Sequence, residues 1–150
     1  MKSSAASYKR AAIMSASPER LILMLFDGAL SAMNRAKEGF ALENVRDRNE
    51  TISNNLIKAQ NIFGELQRSL RMDKGGDFGD RMFNLYDFYN TKLNEANFKK
   101  TQEPIDLVIR LFTEVRDAWA EMLSKQASKH QTAAPANLSA GIGGGLSLRA

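Results

Sequence analysis

The side chains that most often carry chemistry are scarce in this chain of 150 residues. It has one histidine, His130, and no cysteine. Thiolate nucleophiles, disulfides and cysteine-held metals are therefore unavailable. His130 lies in an Ala/Ser/Gly/Thr/Gln-rich stretch, which leaves no Glu-x-x-His pair for a carboxylate-bridged metal bundle and no Ser-His arrangement on a helix. Asp27 and Asp87 each follow an aromatic residue in a helical pattern and read as solvated acids or as partners for Arg or Lys. Gly75-Gly76 lacks the Lys-Ser/Thr and the preceding strand of a phosphate loop, so it reads as a turn. Catalysis is not expected, and neither a metal nor a cofactor is implied.

The elements that carry the remaining signal are helices. Ser17-Pro18-Glu19 combines a hydroxyl N-cap, a proline at the first helical position and an acid at the positive end of the dipole. The run Leu21-Ile22-Leu23-Met24-Leu25-Phe26 follows, and six consecutive apolar residues encircle a helix. Ile22, Leu25, Phe26, Ala29, Met33, Ala36 and Phe40 share one stripe; Leu21, Leu23, Met24 and Leu30 fall outside it. This helix has more apolar surface than one neighbouring layer covers.

Asn44 offers a cap for a second helix running to about Arg71, with Val45, Ile52, Leu56, Ala59, Phe63, Leu66 and Leu70 on its face. Asp73-Lys74-Gly75-Gly76-Asp77 is a turn. A third helix over about Phe78 to Phe98 aligns Met82, Leu85, Tyr86, Tyr89, Leu93 and Ala96. A fourth starts at Pro104, aligns Ile105, Val108, Phe112, Val115, Trp119 and Met122, and ends near Lys125.

There is no period-2 strand pattern. The fold expected is all-α: an antiparallel four-helix bundle over 17–126, with a flexible N-terminal arm over 1–16 and a disordered tail over 127–150. No apolar run is long enough for a membrane span, and the N-terminus lacks the apolar core of a signal peptide, so a cytoplasmic protein without membrane insertion is expected.

The net charge of +4 resides in the ends: residues 1–16 and 125–150 carry +3 each, and the segment between them is −2. Its signs are interspersed, as on a solvated helical surface, which argues against a nucleic-acid face. The positive signal is the apolar surplus. Leu21, Leu23, Met24, Leu30, Ile57, Ile62, Phe83, Phe88, Leu107 and Leu111 lie off the stripes, and a groove that receives an amphipathic helix would use such residues. A nucleic-acid-binding helical protein, distinguished by steep salt dependence, and a self-associating adaptor bundle are the alternatives.

Several motifs carry a family resemblance. Ser17-Pro18 with Leu21 to Ala29, Lys58-Ala59-Gln60-Asn61-Ile62 with Glu65-Leu66, Leu85-Tyr86-Asp87, Ala96-Asn97 and Ala118-Trp119 occur in an order and spacing that resemble the FliS family of flagellar secretion chaperones. Tyr8 matches an aromatic of the family's N-terminal segment, whereas Phe26 stands where the family usually has tyrosine. The resemblance implies a four-helix bundle that binds the disordered C-terminal segment of flagellin, keeps it from polymerising early and helps deliver it to a component of the export gate. The candidate groove residues are Leu21 and Met24 of the first helix, Asn55, Ala59 and Ile62 of the second, and Leu85, Tyr86 and Tyr89 of the third. Tyr8, Ile13 and Met14 of the arm are expected to cover part of this groove until the incoming helix displaces them, so Tyr8 and Ile13 join the binding candidates.

Overall fold

The computed structural model describes residues 2–70 and 76–133, and every described element is helical. The helices are α1 (Lys2–Ser15), α2 (Pro18–Gly39), α3 (Val45–Arg68), α4 (Asp77–Lys99) and α5 (Glu103–Ala133). The four expected helices are α2 to α5. They form an antiparallel ring in which α2 packs on α3 and α5, and α4 closes the ring between α3 and α5.

The capping residues act as their types dictate. Ser17 Oγ accepts from the Arg20 backbone N–H at 3.2 Å, and Asn44 Oδ1 accepts from the Asp47 N–H at 2.9 Å. Each satisfies one of the orphan amides at a helix start. At the end of α4, Lys100 adopts a left-handed conformation with φ 53°, and its N–H returns to the Ala96 carbonyl. Lys100 Nζ donates to the Asn97 carbonyl at 2.8 Å and to Ser53 Oγ at 3.0 Å, which sets a cation on the negative end of the helix and ties it to α3.

The core has an aromatic centre to which each bundle helix contributes. The Phe112 ring meets Phe26 and Phe63 at 5.0 Å and Tyr89 at 5.4 Å, all tilted or edge-on, the geometry aromatic quadrupoles prefer. Ala29, Ala32, Ala36 and Gly39 let α2 approach α3 closely.

Several expectations change. Leu23, placed off the stripe, is buried, because α2 serves two neighbours and its buried arc, from Gly39 round to Leu23, spans about 200°. Val45 is 58 % exposed, since it opens α3 and lies beyond its neighbours. The arm assigned to 1–16 is helical from Lys2 to Ser15, and every described side chain from Ser4 to Ser15 is exposed. The last helix does not stop near Lys125 but continues to Ala133, taking in the start of the expected tail. The rest of that tail, 134–150, and residues 71–75 of the second-helix end and turn lie outside the described residues.

Gly39 is required by packing. A Cβ there would lie 3.0 Å from Thr51 Cγ2 and 3.1 Å from Ile52 Cγ1. Gly39→Val is therefore expected to cost about 1–3 kcal/mol, read as a lower urea midpoint at unchanged m-value.

Candidate partner-binding groove

The site is built on α3, which is held along two flanks so that a third faces outward. On the α4 flank, Ser53, Gln60 and Gln67 recur every seven residues and reach across the seam. The Gln60 amide donates to the Asn90 carbonyl at 3.2 Å and Asn94 Oδ1 at 2.7 Å. Gln67 repeats this one heptad later, donating to the Phe83 carbonyl at 3.0 Å and Asp87 Oδ1 at 2.9 Å. Ser53 Oγ donates to Asn97 Oδ1 at 2.8 Å. On the α2 flank, Ile62 packs beside Gly28, and Thr51 and Ile52 pack beside Gly39.

Between α2 and the outer face of α3 runs an open groove of about 430 Å³. Leu25 forms its α2 wall; Asn54, Ile57, Lys58, Asn61, Ile62 and Glu65 form its α3 floor and rim. Ile57 is 48 % exposed and Ile62 and Leu25 are half-buried, so the apolar strip meets solvent. Glu65 pairs with Arg68 at 2.7 Å, while Lys58 makes no ion pair among the described residues. The groove thus presents an apolar strip with amide rims and, among the described residues, a cation without a counter-charge.

The opposite side of α2 is secured to α5. Arg116 Nε lies 2.7 Å from Asp27 Oδ1, and that pairing holds the guanidinium even more firmly charged. Trp119 Nε1–H donates to the Glu19 carbonyl at 2.9 Å.

The candidate residues do not fall together. Ile62 lines the groove. Leu21 and Met24, half-buried, lie within one turn of Leu25, and Asn55 turns its amide onto the Thr51 carbonyl at 2.8 Å on the flank of α3. Leu85 is exposed, but on α4, which lies across the ring from α2. Tyr8, Ile13 and Met14 are exposed on α1, Tyr8 at 81 %, and do not cover the groove in this structure.

Ala59, Tyr86 and Tyr89 are core residues, 0, 3 and 1 % exposed. Ala59, on α3, packs inside the bundle, and the α4 stripe turns Tyr86 onto Phe63 and Tyr89 onto Phe63 and Phe112, so none of the three presents a contact surface. Leu25, placed in the core stripe by sequence, packs against the core and also forms the groove wall; sequence reasoning missed Asn54, Lys58, Asn61 and Glu65 as groove residues, since they look like an ordinary solvated face. The signal that identifies the polar set is its own spacing along one side of α3.

Among the described residues, no group of three or more His, Cys, Asp or Glu side chains could hold a metal ion, and no helix is long and apolar enough to cross a membrane.

A ring of four helices with a solvent-facing apolar groove defines an all-α bundle whose surface could receive a further helix. Comparison with known proteins narrows this class. The family described as "Flagellar protein FliS" matches residues 1–127. The flagellar secretion chaperone FliS of Salmonella typhimurium is 36 % identical over 115 residues, covering 76 % of this chain and 82 % of that one. Its counterpart in Bacillus subtilis is 30 % identical, with 80 and 86 % covered. A crystal structure of a flagellar chaperone from bacteria shares the fold, with a TM-score of 0.63 at 20 % identity over 81 % of this chain and 98 % of that one. The chain belongs to the FliS family of flagellar secretion chaperones.

The buried tyrosines make stability depend on alkaline pH. Burial, then the neighbouring Tyr89, pushes the Tyr86 phenol far above its ordinary value of 10.0; burial, then the Glu114 charge, raises Tyr89. Below pH 10 both the folded and the unfolded chain keep these protons, so their contribution is complete. Above it the unfolded chain ionises first, binds fewer protons than the folded one, and stability declines as pH rises towards the folded values. The urea midpoint is expected to fall as pH rises above about 10, and Tyr86→Phe should flatten that fall.

Proposed function

We propose that this protein is a cytoplasmic export chaperone that binds the disordered C-terminal segment of flagellin, prevents its premature polymerisation and supports its delivery to the flagellar export apparatus. The observation that carries this reading is the open apolar groove between α2 and α3 on a FliS-family bundle.

The physical case follows from the groove's form. Leu25, Ile57 and Ile62 are apolar surface that water covers poorly, and an amphipathic helix would shield it while meeting the polar rim. A segment disordered in solution must fold as it binds. That ordering costs about 2–5 kcal/mol or more of the contact energy. A broad contact is thereby kept reversible, which release at an export gate requires. While bound, the segment's apolar face is withheld from other flagellin molecules.

Calorimetric titration with a peptide of the flagellin C-terminal region, followed in parallel by far-UV circular dichroism, tests this reading. The expected result is saturable one-to-one binding with helix gained beyond the sum of the two components. Absence of binding between a folded protein and a competent peptide removes it.

The expected role of the arm has its own test. In this structure α1 stands off the groove, so competition requires α1 to swing onto it. Removing residues 1–15 should tighten peptide binding if it does; an unchanged affinity means that α1 stays clear, and a weaker one that it belongs to the binding surface.

A further inference from the structure

Gly28 lies in the middle of α2, one turn beyond the groove wall Leu25, and its bare backbone faces Ile62, a residue that lines the groove. Nothing inside the fold demands glycine there. A Cβ would meet only Cδ1 of Ile62, at 3.4 Å, which is contact with the tip of a flexible side chain. Gly39, where Thr51 and Ile52 stand within 3.2 Å of the missing Cβ, shows what a demand of the fold looks like.

A glycine inside a helix weakens it relative to alanine, because the unfolded chain has more conformational freedom to lose. Gly28 carries that disadvantage without an internal reason, and it is half-exposed, so the close approach that would use its bare backbone comes from outside the chain.

We infer that Gly28 is a specificity-determining contact, over which the backbone of a partner helix packs directly against α2. Two helices without side-chain bulk at their crossing lie nearer than those with it, and small residues on both sides favour that geometry. The occupant is an amphipathic helix with alanine or glycine at the crossing, an apolar face for Leu25 and Ile62, and an acidic residue placed to meet Lys58, which makes no ion pair among the described residues. This rests on the proposed function, and the occupant is the helix formed by flagellin's C-terminal segment.

The test uses the full-length protein, a peptide of the flagellin C-terminal segment, and the variants Gly28→Ala, Gly28→Leu and Gly64→Ala. Gly64, in α3, is a matched comparison: a Cβ there meets only Arg68 Nη1, at 3.6 Å, and it does not line the groove. Both alanine variants should raise the melting temperature by about 2–4 °C, since each removes a helix glycine without a clash.

Only the Gly28 variants should lose affinity, by about 5-fold for alanine and about 100-fold for leucine, the range expected for overpacking a close contact. Gly64→Ala should bind within about twofold of the wild type. Wild-type affinity in both Gly28 variants overturns the inference and leaves the chaperone reading standing. Should Gly28→Leu fail to fold, Gly28→Ala alone decides, because its rise in melting temperature certifies an intact bundle. A wild-type protein that does not bind the peptide overturns both.

Discussion

The four-ring contact around Phe112 is the interaction on which the rest depends. Phe26, Phe63 and Tyr89 come from α2, α3 and α4, and each meets the one ring supplied by α5. Because all four are at most 2 % exposed, a rotation of any helix would withdraw its ring and open a cavity at the centre. The outward faces are therefore fixed by what happens inside. Ile57 meets solvent because Phe63, on the same helix, points to the core.

α3 is held by two kinds of seam. Towards α2 the seam is close-packed, with Gly39 admitting Thr51 and Ile52. Towards α4 it is polar, with Ser53, Gln60 and Gln67 at heptad spacing bonding to side chains or carbonyls of the facing helix. An apolar seam tolerates small slips, whereas a ladder of directional bonds is satisfied only in register. Both seams set the position of the groove, while the groove itself stays uncovered.

Such a surface carries a standing disadvantage. Exposed leucine and isoleucine on a small bundle promote self-association. The groove limits the hazard by its rim, where Asn54, Lys58, Asn61 and Glu65 interrupt the apolar strip. A polar rim of this kind would also give direction to a docking helix, whose charges must align before its apolar face can settle.

Much of the fold could be read from the residues in order. The Ser17 and Asn44 caps and the apolar period of each helix are local properties, and local chemistry suffices to place four helices, with their motifs marking the family. Contacts across the ring could not be read that way. Periodicity defines a face without naming its neighbour. Tyr86 and Tyr89 thus resembled groove residues until packing turned them inward, and Leu25, placed in the core stripe by sequence, also forms the groove wall. Gln60 and Gln67 looked like ordinary polar residues until α4 supplied acceptors in matching register. The bare side of Gly28 acquired meaning only when Ile62 stood 3.4 Å from its missing Cβ. In each case the deciding partner lies far away in sequence or on another helix, and only the packed bundle brings the two together.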